Sequence, residues 1–332
     1  MELAAGAACQ QQPVVTYCEV NTKPYARCFA YWGRLLTFFC FFHMSRFTAP
    51  FTGSLALAAL ALLASCSTSQ QAETATTGPA DRPEALGAQQ AGSTVSGQAQ
   101  SKGGITLTPY NDSPKFPTAQ MRVNAPIDGS TMPSGEVAFS YDLTNFQLTK
   151  MTDSDHAMQM ANSMKGQHIH NIVDNQPYTA HYDTKFTKPV ADGQHVVLSF
   201  LSRSYHESLK HRGAYDLRTV TVGTLAPGTP PMAFDLKAPH LFYSRPKDKY
   251  EGKDAQKIML DFYLVNTTLA PEGNKVRATI NGTEFMLDNW LPYMMEGLPA
   301  GEATIKLELL DSSGNLIPGP YNSVTRTITV AP

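Results

Sequence analysis

Cysteine disappears from this chain after residue 66. The five that exist are Cys9, Cys18, Cys28, Cys40 and Cys66. No disulfide can therefore staple the long C-terminal remainder, whose stability must rest on burial and strand pairing. Charge is also scarce. Charged residues make up 16% of the 332, against about 25% in ordinary soluble domains, which excludes a coiled coil or a charge-driven disordered chain. Neither sign prevails, with 26 Lys+Arg against 28 Asp+Glu, so there is no basic face for a nucleic acid. Long helical periodicity is hard to find. Also missing are a Gly-x-Ser-x-Gly elbow, a phosphate-cradling glycine loop, a His-Glu-x-x-His pair and any cysteine nucleophile beyond residue 66. These absences favour a non-catalytic protein, with a metal-dependent envelope hydrolase as an alternative.

What is present begins with Leu55–Ala64, ten apolar residues ending in Leu63-Ala64-Ser65-Cys66. Ten residues suit the apolar core of a signal peptide and are too few to span a bilayer. Met44-Ser45-Arg46 supplies a start and a positive charge just upstream. This gives a signal peptide over 44–65 and leaves 1–43 as a spurious N-terminal extension; the rival is a membrane-inserting leader around the apolar Phe29–Phe42. The Leu-Ala-Ser-Cys run resembles the bacterial lipobox. That resemblance implies acylation of the Cys66 sulfur, cleavage before it, and attachment to a membrane, with about 0.8 kcal/mol contributed per buried CH2. Ser67 rather than Asp follows, which in similar lipoproteins implies sorting to the outer membrane of the cell envelope.

Residues 66–104 are rich in Ser, Thr, Gln, Ala and Gly and contain no aromatic residue. Such a segment cannot bury enough apolar surface to offset its ordering entropy, and it reads as a disordered tether. Beyond it, short runs of alternating β-formers are broken by Gly, Pro, Asn and Asp, as in Gly135–Leu143, His195–Leu201 and Thr219–Val222. This pattern predicts an all-β chain of β-sandwiches. The pattern also repeats. Arg218-Thr-Val-Thr-Val222 recurs 108 residues later as Arg326-Thr-Ile-Thr-Val330, and Gly166–Asn175 aligns with Gly273–Gly282 at an offset of 107. Tyr141–Asn145 resembles Phe262–Asn266 at an offset of 121, which places an insertion of about 14 residues between Asn145 and Gly166 of the first copy. The expectation is two tandem immunoglobulin-like β-sandwich domains, 105–223 and 233–332, joined by a stiff Pro-rich linker over 224–232.

Seven of the nine histidines fall within 156–211. The sharpest motif is His168-Ile169-His170, since alternate residues of a strand share a side. Two imidazoles so placed sit roughly 6–7 Å apart at the Cα level, a workable spacing for one ion. His195 and His206 are the further candidate ligands, and three or four imidazoles suit zinc or copper. His156, Met158, Met160 and Met164 of the insertion add thioethers, which favour Cu(I). Gly166–Asp174 followed by Ala191–Leu198 resembles a family of small exported bacterial domains of unknown function with a Gly-His-His-His-Leu-type strand and a later Gly-x-His-x-Leu strand. The whole mature chain resembles tandem-domain lipoproteins of the Bacteroidota. Neither resemblance implies a reaction.

Two other constellations suggest partners. Ser202-Arg203-Ser204-Tyr205-His206 partly resembles the Ser-Arg-x-His loop of forkhead-associated phosphopeptide-binding domains, with one extra residue and without their upstream Gly-Arg turn. The resemblance implies phosphate contacts from Arg203 and Ser204 beside Tyr205. Trp290 and Tyr293 lie in Asp288–Met295 and would suit a sugar ring or a protein partner if exposed. The favoured function is a non-catalytic, lipid-anchored envelope protein with a ligand or metal site in the first domain and a protein, peptide or glycan partner. N-terminal peptide mapping of a lipidation-blocked product tests the start; no peptide from Met1–Arg34 is expected, and recovery of one overturns the assignment of 1–43.

Overall fold

The computed structural model describes residues 97–332, His156 excepted; 1–96, with the signal peptide, Cys66 and most of the tether, lie outside the described residues. No helix among the described residues is long and apolar enough to cross a membrane. Two short strands come first, β1 (Gln100–Lys102) and β2 (Ile105–Pro109). The next eight are β3 (Gln120–Ala125), β4 (Thr131–Met132), β5 (Gly135–Thr144), β6 (His168–Val173), β7 (Thr179–His181), β8 (Lys185–Val190), β9 (Gly193–Ser202) and β10 (Tyr215–Val222). The last eight are β11 (His240–Arg245), β12 (Lys249–Glu251), β13 (Ile258–Val265), β14 (Lys275–Ile280), β15 (Thr283–Leu287), β16 (Tyr293–Glu296), β17 (Gly301–Leu310) and β18 (Ser323–Ala331).

The first sandwich pairs the sheet β3-β5-β8 with the sheet β4-β10-β9-β6-β7. Alternation drives it: Val137, Phe139 and Tyr141 of β5 point inward to meet Ile169, Val197, Leu201 and Val220. The second sandwich repeats the five-stranded order as β12-β18-β17-β14-β15, including the parallel pairing of its outermost strand. Tandem all-β sandwiches are thus the architecture. Asn145 and Asn266 close β5 and β13 with the same positive φ, 56° and 55°. Asn281-Gly282 forms the two-residue turn between β14 and β15 with both φ positive, as a type I′ hairpin requires.

The start of the fold departs from the expected boundary. By sequence, 105–109 open the first domain and 97–104 end the tether. In the structure β2 pairs with β16, so the β1-β2 hairpin extends a sheet of the second sandwich, β1-β2-β16-β13-β11. Burial explains the choice, because Ile105 and Leu107 enter the second sandwich's core. Gln100 Nε2 donates to Met286 O at 2.8 Å and Lys102 Nζ to Glu284 O at 3.0 Å, which ties the hairpin to β15 of the facing sheet.

The two sandwiches pack face to face. Val196, Leu198 and Phe200 of β9, with Tyr215 and Leu217 of β10, turn away from the first core and join a cluster with Phe242, Phe262, Tyr263 and Trp290. Phe200 stacks on Tyr263 with ring centroids 4.7 Å apart, a geometry worth about 0.5–1.5 kcal/mol beyond area burial. Tyr263 also donates its hydroxyl to Leu209 O at 2.8 Å. Asp261 of β13, fully buried, receives the Lys210 ammonium and the Ser208 amide from the first sandwich. Every residue of β11 and β13 is buried, as is all of β9 beyond Gln194.

Truncating Leu107 to Ala is expected to cost about 2–5 kcal/mol, as for other fully buried leucines, read from urea unfolding. Deleting 97–109 bares the edge of β16, and concentration-dependent self-association in size-exclusion chromatography is the expected result.

Candidate metal centre

β6 opens with the His-x-His motif, and its pleat sorts the residues. Ile169 enters the core of the first sandwich, while His168 and His170 point out of the opposite face, toward the second sandwich. Both rings are fully buried. β9 pairs antiparallel with β6 so that its last residue, Ser202, lies opposite His168. The chain then turns tightly, with the His206 amide bonded to Arg203 O at 2.9 Å. His206 takes a φ of 67°, an uncommon conformation for a non-glycine residue, and its ring arrives beside the other two.

The three rings offer one nitrogen each within 4.8 Å of one another. His168 Nδ1 donates to Gly166 O at 2.8 Å, since a carbonyl can only accept. The Nε2 of a neutral His168 is therefore a lone pair. Two nitrogens address it, His170 Nε2 at 2.8 Å and His206 Nδ1 at 3.0 Å. One imidazole lone pair accepts one good hydrogen bond, so the rings compete for it. His170 stacks on Tyr178 at 3.6 Å between centroids, and its buried Nδ1 has no hydrogen-bond partner. The Tyr178 hydroxyl lies 3.3 Å from His206 Nδ1.

Burial keeps these imidazoles neutral. It pushes His168 down to about 4. It holds His170 well below the usual histidine range, with the neighbouring His168 and His206 adding to the effect. His206 is also lowered, by burial first and then by the Arg245 guanidinium. Neutral imidazole is the form that binds a metal ion. Tetrahedral zinc with bonds of about 2.0–2.1 Å spaces its ligand nitrogens about 3.3 Å apart, against 2.8 and 3.0 Å from His168 Nε2 to the other two and at most 4.8 Å for the remaining pair, so a modest rearrangement of the rings would admit an ion. His206 lines an open cleft of about 370 Å³ shared with Tyr178, Arg245, Lys247 and Tyr250.

The other residues singled out from the sequence lie elsewhere. His195 does not join the centre: it stands seven positions before Ser202 on β9, roughly 23 Å along an extended strand. Both its ring nitrogens are engaged, Nδ1 with Asp174 Oδ2 at 2.6 Å and Nε2 with Ala191 O at 2.8 Å. The phosphopeptide loop is likewise overturned. Arg203, Ser204 and Tyr205 are buried, and the Arg203 guanidinium is consumed by Pro114 O, Glu207 Oε1 at 3.0 Å and Ser208 O at 3.2 Å. Trp290 and Tyr293 form no exposed platform. Both are buried, Trp290 donating to Phe262 O and Tyr293 to Asn289 O, each at 2.9 Å. Met160 packs against Tyr205, Met259 and Met294, and Met164 is exposed; His156 lies outside the described residues. Tyr178 escaped the sequence reading, and Arg245 falls in the basic, Pro-containing turn Tyr243–Tyr250, which by sequence reads as a solvated interdomain corner but is buried at Arg245. Tyr178 sits five residues past the end of β6 with no motif to mark it, and Arg245 comes from the other sandwich.

No known protein family matches the chain, and no curated protein matches it. Among solved structures, the fibronectin(III)-like modules of Clostridium thermocellum CbhA align with 64% of this chain and 94% of their own at 9% identity and a TM-score of 0.23. A Bacteroides ovatus protein of a mixed-linkage glucan utilization locus, SGBP-B, solved with a mixed-linkage heptasaccharide, aligns over 63% and 47% at 11% identity and a TM-score of 0.21. The central fibronectin-III array of RIM-binding protein aligns over 64% and 67% at 8% identity and a TM-score of 0.20. At such scores these likenesses carry no argument about function, and the fold stands on its own strand order.

The depressed histidines set a pH dependence. In the unfolded chain they protonate near 6.5, while in the fold they resist until about 4 in the case of His168. Between those values the unfolded state binds more protons, so stability falls as pH falls. The midpoint of thermal unfolding, followed by circular dichroism without metal, is expected to drop from pH 6.5 to pH 4. His168→Gln should flatten that slope.

Proposed function

We propose that this chain is a non-catalytic, lipid-anchored protein of the cell envelope whose sandwiches enclose a three-histidine centre for zinc or copper. The observation that carries the proposal is the geometry of His168, His170 and His206: three neutral imidazoles converge within 4.8 Å, two of them contending for one lone pair. A cation at their meeting point removes that conflict, because all three nitrogens then act as acceptors. The Gly166 carbonyl supplies the outer support that a ligating histidine ordinarily has. Imidazole sets of this kind suit zinc and copper alike. Anchoring at Cys66 rests on its lipobox-like surroundings, and the tether that follows would carry the sandwiches away from the membrane.

Isothermal titration of the mature chain with Zn(II) and with Cu(II) tests the centre. One ion per chain at a Kd of about 1 μM or tighter is expected. Alanine at His168, His170 or His206 should weaken it at least about tenfold, and alanine at His195 should not. Binding weaker than about 10 μM for both ions overturns the proposal.

A further inference from the structure

We propose that the metal at this centre is completed by an exogenous oxyanion, a carboxylate or phosphate group, that enters through the cleft between the two sandwiches and is held by Arg245. This rests on the three-histidine reading. Three protein ligands leave a tetrahedral ion with an open position, the arrangement that admits an outside ligand. The opening faces the cleft. His168 and His170 are sealed, whereas His206 is part-exposed and lines the cleft with Tyr178, Arg245 and Lys247.

Arg245 indicates what enters. Its side chain lines the cleft although the residue is only 6% exposed. Its hydrogen bonds all go to neutral acceptors: Nε and Nη2 to the Tyr250 hydroxyl at 3.3 and 2.9 Å, and Nη1 to Tyr205 O at 3.4 Å. Among the described residues no carboxylate forms an ion pair with it. Asp261, across the strand pair, supplies some negative potential but is itself bonded to Lys210 and Ser208, so the guanidinium carries no anion on its own fork, and a divalent ion bound next to it would add repulsion. An oxyanion answers both, with one oxygen on the metal and another on the planar fork of the guanidinium.

The neighbouring groups fit that assignment. Lys247 places its ammonium 4.6 Å over the Tyr178 ring while also pairing with Asp248. The Tyr178 hydroxyl, 3.3 Å from His206 Nδ1, is a further polar group on the cleft. Three carboxylates line the cleft; Asp248 pairs with Lys247 at 3.1 Å, Glu251 pairs with Lys249, and among the described residues none of the three, Asp254 included, bonds Arg245. Arg245 thus remains as the buried cation awaiting a partner.

The test uses the mature chain with Cys66→Ser, loaded with Co(II), whose visible d–d bands report its ligands. Sodium acetate and inorganic phosphate are titrated separately at constant ionic strength in perchlorate. A saturable band shift with at least one of them is expected, and the arm that saturates identifies the oxyanion class. Arg245→Gln should weaken that anion at least about tenfold without weakening Co(II) binding, since it removes a repelling charge. Tyr178→Phe, which removes only a hydroxyl, should weaken it more modestly and serves if Arg245→Gln does not fold. No band shift with either anion up to about 50 mM overturns this inference and leaves the metal centre standing. An anion response unchanged in both variants overturns the role of Arg245 and its cleft. Failure to bind Co(II), Zn(II) or Cu(II) overturns the centre and this inference with it.

Discussion

Strands β6 and β9 are covered on both faces, a condition an ordinary two-layer antiparallel sandwich does not impose. One face of their sheet closes the first core, and the other is covered by the aromatic and apolar side chains of β11 and β13. The chemistry of the centre follows from that second covering. Without it, His168 and His170 would be solvated histidines on an open sheet, titrating in their usual range. Under it they are buried and held neutral, and an open cleft reaches His206 along the seam between the sandwiches.

The two copies show the same constraint from opposite sides. β14 occupies in the second sandwich the place that β6 holds in the first, and Lys275 and Arg277 stand where His168 and His170 stand. No sheet covers them. Val276, Ala278 and Ile280 fill the interior, while Arg277 is met on the surface by Glu308 at 2.9 Å. A covered face took imidazoles and an uncovered one took paired charges, on the same strand in the same order.

The sandwiches were legible because alternation and turn residues are local signals, and the repeated Arg-Thr-x-Thr-Val run fixed their tandem order. The kinship of His168 and His170 was legible for the same reason, since a strand has a period of two. The departures turn largely on burial that segments far apart in sequence create together. His195 looked close because its strand is adjacent, but it stands at the strand's other end. Whether Arg203, Trp290 and Tyr293 face solvent or pack inward stayed open, because no local pattern announces that a second sandwich will cover the first. Arg245 sits in a basic, Pro-containing turn that reads as a solvated corner, and its place beside His206 exists only after the two sandwiches meet. The hairpin at 100–109 left no trace either, because its partner strand lies almost two hundred residues away.

That hairpin bears on the order in which the molecule is completed. The chain is delivered N-terminus first, and Leu107 must wait for Met295, 188 positions later, before its strand can pair. At about 5–20 residues per second this is a delay of roughly 10–40 s. During it Ile105 and Leu107 lack their sheet, while the first sandwich gains its last strand once Val222 has emerged, well before Met295. The earliest described segment is therefore among the last to settle, and its docking marks the moment at which the second sandwich, and the seam it forms, is finished.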